Sequence, residues 1–376
     1  MFEWSIRSLM SPVITRLLIY GVNPIDVEFV VSAVEKKSHL NVRSLEKSWM
    51  EEWEKKASRY GALAEEAEEK GNLLSAQMFY FYAAQCYYAI YLINLASMEE
   101  KHRIYSQYSA LYQKSMQYAS WKVERLEIFI DEKTAIPGYL HLPAGRGGDR
   151  SGSCVVIYSG PGSCKEEMHT LAEPLVKRGL AVLVPDMPGN GEALFMRDVK
   201  CRINNLDAVF QAVLNTLEKR DDFQNTAFGV CGLYMGSGYA YRAACLDSRY
   251  VACVNLFPIW TPEVTPRWMK QDVWYDYQTG GVKTEEFIRE MKKLEAGAVS
   301  CPFLFIHGRN DNQMTLETAL GLYNNACGAK EMIIVEEEPV FSNQYADTIP
   351  VGEQLHWISH VAADWMNARL QQGNER

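Results

Sequence analysis

Gly232-Leu233-Tyr234-Met235-Gly236 has the spacing of a turn that exposes one reactive side chain. The apolar run Phe228-Gly229-Val230-Cys231-Gly232 reads as the strand entering it, and 236–245 reads as the helix leaving it. In a strand–G-x-Nuc-x-G–helix turn the central side chain stands above the sheet edge. The flanking glycines are needed because bulkier residues would clash in so tight a turn. Serine is the usual central residue; here it is Tyr234. The partners of such a nucleophile follow in chain order, acid and then base. Asp311 comes after the strand-like run 303–306 through His307-Gly308-Arg309-Asn310, where a catalytic acid belongs. His356 lies beyond the final strand-like run and is expected before the closing helix; His360, the competing base, is expected within it.

An ordinary phenol has a pKa of about 10 and is protonated at neutral pH. A helix N-terminus and a nearby base favour its ionised form. The ring also carries the oxygen well past the place of a serine oxygen, and errors of about an ångström already matter in catalysis. Three readings follow. Tyr234 is a general acid or base, or a hydrogen-bond donor, while His356 held by Asp311 removes a proton, which gives a lyase, an elimination or a cyclisation. Alternatively, Tyr234 is a covalent nucleophile activated by His356, which gives a hydrolase or acyl transferase. In the third reading the site is filled and the protein is a binding or scaffold module. The first is the expectation, and Asp311 with His356 weighs against the third. Two replacement nucleophiles fit less well: Ser237 is expected inside the first helical turn, and Cys231 is expected to be buried in its strand.

The elements that must position these residues are legible. From 123 onward strands and helices alternate, the signature of an α/β fold with a mainly parallel sheet. Runs 123–130 and 139–143 read as a hairpin. Strands at 154–158, 181–184, 228–232, 251–257, 303–306 and 332–335 follow, with helices near 168–178, 199–218 and 358–370. An insertion at 259–295 carries Trp260, Trp268 and Trp274 and reads as a lid or pocket wall, with helix packing as the plain alternative. Lys165-Glu166-Glu167 reads as a solvated helix start, and Gly189-Asn190-Gly191-Glu192 as a tight turn with Glu192 structural.

Residues 1–122 read as a helical segment preceding the α/β domain at 123–376. Between 41 and 122 there is no proline and almost no strand pattern, and Gly71-Asn72 marks a turn between two helices. Their aromatic residues are expected to pack between helices, and the segment offers a surface for a homodimer.

The 376 residues carry a formal net charge of −9, which weighs against nucleic acid and anionic membranes as partners. Nine cysteines at irregular spacing, with no CxxC pair, fit buried free thiols in a reducing compartment. The apolar N-terminal stretch is broken by Arg7, Ser8, Pro12 and Arg16, which fits an amphipathic helix better than a signal peptide. A cytoplasmic protein with a small-molecule substrate, no metal and no cofactor is expected; no His/Cys/Asp cluster has metal-ligand spacing.

Three motifs together resemble one branch of the α/β hydrolases: Ser159-Gly160-Pro161-Gly162-Ser163-Cys164-Lys165-Glu166-Glu167, then Asp186-Met187-Pro188-Gly189-Asn190-Gly191-Glu192, then the turn at 232–236. Ala363-Asp364-Trp365 also fits. That branch holds the fermentation–respiration switch protein, 2,6-dihydroxypseudooxynicotine hydrolase and fungal polyketide-shortening hydrolases. The resemblance implies an α/β-hydrolase fold with a helical N-terminal lid or accessory segment. It also implies a Ser-Asp-His site acting on small oxygenated aromatic or polyketide-like compounds, in specialised metabolism. Against that pattern Tyr234 stands in the serine position, and Ser237 stands where glycine usually continues the turn. Pro161 lies in the loop that normally gives one oxyanion-hole amide, and proline has no N–H. The resemblance leaves the Met235 N–H as one donor, with Gly160 or Gly162 as the substitute for the other.

Overall fold

The computed structural model describes residues 6–37, 42–93, 97–144, 152–258, 273–291, 293, 297–309, 311, 314–336 and 354–373. Among them the chain forms two compact units that meet in sequence between Lys122 and Val123.

The first unit is helical. It comprises α1 (Ile6–Leu9), α2 (Ser11–Ile19), α3 (Pro24–Lys37), α4 (Val42–Glu69), α5 (Leu73–Tyr91) and α6 (Met98–Met116). Gly71, at φ 73°, ends α4 in the left-handed conformation that glycine tolerates. Ala64, Ala67, Ala76 and Tyr80 then close the α4–α5 hairpin in one buried cluster. Of the aromatic residues at helical spacing, Trp49 and Trp53 are fully buried, whereas Tyr60, Phe79, Tyr82 and Tyr87 are half-buried. The helix expected after Gly71 is α5, and a further helix, α6, follows it. Ser97 starts α6 by accepting the Glu100 N–H at 3.3 Å, an N-cap within a Ser-x-x-Glu pattern.

The second unit contains β1 (Lys122–Phe129), β2 (Ala135–Leu142), β3 (Cys154–Tyr158), α7 (His169–Val176), β4 (Ala181–Pro185), α8 (Gly191–Phe195) and α9 (Ile203–Glu218). These are followed by β5 (Phe228–Leu233), α10 (Met235–Leu246), β6 (Tyr250–Leu256), α11 (Val273–Thr279), α12 (Thr284–Met291), β7 (Phe303–Gly308), α13 (Leu316–Asn325), β8 (Lys330–Val335) and α14 (Gln354–Gly373). The eight strands form one sheet in the order β1-β2-β4-β3-β5-β6-β7-β8. β2 runs antiparallel to β4, whereas β3 to β8 pair in parallel. Strands β3, β4, β5 and β7 are buried along their whole length, because helices cover both faces of a parallel sheet. This sheet, with its helices and its strand–turn–helix at β5–α10, is the α/β-hydrolase fold.

Two expected elements differ. The helix placed at 199–218 begins only at Ile203, because Val199 and Cys201 are drawn into extended backbone pairing with Gly189 and Gln278. The closing helix begins at Gln354, so His356 lies in its first turn and not ahead of it. Of the insertion, α11 and α12 are described; Trp260 and Trp268 lie outside the described residues, and of Trp274 only its backbone, in α11, is described. Among the described residues no helix is long and apolar enough to cross a membrane.

Candidate active site

Tyr234 sits between β5 and α10 at φ 53° and ψ −123°. A non-glycine residue in this region costs on the order of 1–3 kcal/mol and persists only where its surroundings force it. The surroundings do so. A Cβ on Gly232 would come within 2.0 Å of the Gly236 carbonyl oxygen, and one on Gly236 within 2.1 Å of the Tyr158 oxygen. Tyr234 N–H donates to the Leu256 carbonyl at 3.0 Å. The fully buried Ser237 hydroxyl accepts the Leu256 N–H at 3.1 Å, and the carbonyls of Gly232 and Leu256 lie 2.8 and 2.9 Å from it. Ser237 therefore ties the turn to β6. Cys231 is buried in β5, and burial pushes its thiol up to about 12. Neither is placed to attack a substrate. The Tyr234 side chain is half-buried as a whole, with its hydroxyl enclosed.

The loop leaving β3 lies against this turn. Gly160, Pro161, Gly162 and Ser163 form a β-turn in which Ser163 N–H donates to the Gly160 carbonyl at 3.3 Å and Gly162 adopts φ 80°. Proline second and glycine third suit a type II turn, which needs a positive φ at its third residue. A Cβ on Gly160 would come within 2.9 Å of Met235 Cβ and 3.2 Å of the Gly236 nitrogen, so the loop lies directly against the start of α10. The Met235 N–H opens that helix and has no carbonyl of a preceding turn to bond. Gly162 is a poor substitute donor, because its N–H is engaged by Asn190 Oδ1 at 3.1 Å. The Gly160 N–H remains.

Asp311 is buried just past β7. Its Oδ1 accepts the Met314 N–H at 3.0 Å, and His307 Nε2–H donates to the Met314 carbonyl at 2.8 Å. The Met314 peptide is thus held from both sides. Burial keeps the His307 imidazole below its ordinary value, against the opposing pull of Asp311. The His356 side chain is exposed, 6.1 Å from the His360 ring, which approaches Arg178 at 3.5 Å. Among the hydrogen bonds of the described residues, none joins His356 to Asp311 or to Tyr234. The structure brings together Tyr234, Met235 and Gly160, sets Asp311 at the exit of β7, and leaves His356 apart from them by hydrogen bonding.

Lys165-Glu166-Glu167 corrects the reading of a solvated helix start: all three are buried. Lys165 Nζ lies 2.8 Å from Asp186, 3.0 Å from Glu166 and 3.4 Å from Glu192. Burial opposes its charge, but these carboxylates prevail and hold it well above the usual lysine range. Glu192 is structural, as expected, and also pairs with Arg125. Asn190, His307 and Gln278 were not singled out from sequence. Gln278 of α11 donates to the Gly189 carbonyl at 2.9 Å and anchors the insertion to the turn beside Asn190. An asparagine between two glycines in an Asp-x-Pro-Gly-x-Gly-Glu turn was the available signal. All nine cysteines are free thiols.

The model of the FrsA-like esterases matches residues 21–269. The chain is 28% identical to 2,6-dihydropseudooxynicotine hydrolase of Paenarthrobacter nicotinovorans over 72% of each protein. It is also 28% identical to the hydrolase pyiE of Pyricularia grisea over 57% of this chain, and spans about half (50%) of that fungal relative's length. The solved structure of 2,6-dihydroxy-pseudo-oxynicotine hydrolase superposes with a TM-score of 0.75 over 96% of both chains at 22% identity, which establishes the shared fold.

Proposed function

The chain belongs to the FrsA-like esterase family, and from that premise we propose that it is an enzyme acting on a carbonyl-bearing small organic compound, with Tyr234 as its acid–base group. The observation that carries this reading is the position of Tyr234: a tyrosine at the strained apex of the elbow, its hydroxyl enclosed, at the N-terminus of α10. A protonated phenol is a proton or hydrogen-bond donor first, and becomes a nucleophile only once a base has taken its proton. The Gly160 and Met235 amides beside it are suited to hold negative charge developing on a substrate oxygen. Donation from Tyr234 together with that stabilisation supports elimination, C–C cleavage or cyclisation next to a carbonyl. Asp311 and His356 serve as the base pair in this reading. Their chain order and the burial of Asp311 at the exit of β7 support it. The named activity of the Paenarthrobacter relative supports a small organic substrate.

The relatives named as hydrolases favour a second reading, in which Tyr234 is a covalent nucleophile towards an ester or C–C bond. A panel of aryl esters and β-acetoxy ketones separates the two. Tyr234→Phe is expected to lower kcat by at least about 100-fold on any compound turned over. Wild-type turnover in that variant would overturn both readings. Product formed with no mass adduct in the intact protein supports acid–base chemistry, and an acyl adduct on Tyr234 supports the nucleophile.

A further inference from the structure

Asn190 is buried, and its amide spans the β-turn of the loop leaving β3. Nδ2 donates to the Gly160 carbonyl at 2.8 Å, Oδ1 accepts the Gly162 N–H at 3.1 Å, and Ser159 Oγ lies 3.4 Å from Nδ2. A carbonyl on one side and an N–H on the other allow only one orientation of the amide. The backbone donors of the turn 160–163 are then accounted for, save one. Pro161 has none. Gly162 donates to Asn190, and Ser163 donates to Gly160. The Gly160 N–H is what remains for a ligand, and its nitrogen lies 3.1 Å from where a Cβ on Gly236 would sit, beside the first turn of α10.

We infer that Asn190 is a positioning residue: its amide fork fixes the Gly160-Pro161-Gly162 turn so that the Gly160 N–H faces the same substrate oxygen as the Met235 N–H. The inference rests on the reading of the site given above. Substitutions follow the chemistry of the fork. Alanine removes both arms. Aspartate keeps the acceptor for Gly162 but sets a second carboxylate oxygen against the Gly160 carbonyl. Protonating that carboxyl restores a donor.

The test uses the full chain as wild type, Asn190→Ala and Asn190→Asp. Hydrogen exchange by mass spectrometry reads the 159–163 and 232–240 segments, and elimination of acetate from a β-acetoxy ketone gives kcat and KM. In Asn190→Ala, exchange at the Gly162 and Ser163 amides is expected to rise at least tenfold with 232–240 unchanged. The expected kcat loss is of order 10- to 100-fold with KM within twofold, as for a misplaced oxyanion donor. The kcat of Asn190→Asp relative to wild type at the same pH is expected to rise as pH falls towards about 5. Unchanged loop exchange overturns the clamp. A loosened loop with unchanged kcat, or a kcat loss with no acid recovery in Asn190→Asp, overturns the link to the Gly160 donor. Failure of wild type to turn over the β-acetoxy ketone counts against the reading of the site, and loop exchange then decides the clamp by itself.

Discussion

Lys165 Nζ lies 2.8 Å from Asp186 Oδ2, with both side chains fully buried. Asp186 also accepts the Lys165 N–H and the Glu192 N–H, each at 2.8 Å, so one carboxylate joins the loop leaving β3 to the turn leaving β4. Gly191 is required there, because a Cβ would come within 2.4 Å of Asp186 Oδ1. Lys165→Met leaves Asp186 and Glu166 buried without their ammonium, and breaking a buried pair in this way costs about 3–5 kcal/mol. Urea unfolding at pH 7.5 should show that loss. It should shrink towards pH 5. Carboxylates stripped of their cation bind protons more tightly in the folded than in the unfolded state, so the variant's stability falls as pH rises. A loss below about 0.5 kcal/mol, or one independent of pH, contradicts this account.

The Lys165 cluster also shows where sequence reading stops. Parallel strands announce themselves as short apolar runs, and the elbow announces itself by its glycines, because both are local constraints on backbone. Lys165-Glu166-Glu167 gave no such sign: the partner that buries it, Asp186, is 21 residues on. The start of α14 was missed for a related reason. Gln354, Leu355, His356 and Trp357 carry no capping residue or apolar periodicity that would place the helix start ahead of His356. Asn190 looked like any turn asparagine until the loop it clamps was brought against it. Conversely, the inward place of Ser237 was legible, because one residue after Gly236 the chain is already helical.

His141 on β2 is fully buried, and desolvation, with His169 nearby adding to it, lowers its pKa from 6.5 to about 3. The unfolded chain therefore binds a proton between these values that the folded chain refuses. Stability is undiminished above about pH 6.5, declines as pH falls below it, and the decline is complete near pH 3. The loss from this residue alone is about 2 kcal/mol at pH 5. His141→Phe removes the titrating group at similar volume. Its stability, followed by urea unfolding from pH 7.5 to 5, should decline about 2 kcal/mol less than that of wild type. Parallel profiles would mean that His141 takes up its proton in the folded state.

Tyr234→Ser asks whether the rest of the elbow is intact. The variant keeps the φ 53° apex, since Gly232, Gly236 and Ser237 impose it whatever the side chain. Removing the ring brings the hydroxyl back to the depth at which the Met235 and Gly160 amides meet a tetrahedral oxyanion. A fluorophosphonate probe is expected to label Tyr234→Ser and not the parent, and the variant should gain hydrolysis of short aryl esters. The base is then identified in the same background. His356→Ala should abolish labelling, because the serine loses its proton acceptor, whereas His360→Ala, placed one turn further along α14, should retain it. Labelling lost in His360→Ala and kept in His356→Ala would transfer the base role to His360. A folded Tyr234→Ser protein that is never labelled would show that tyrosine and its surroundings form a site in which a serine nucleophile cannot act.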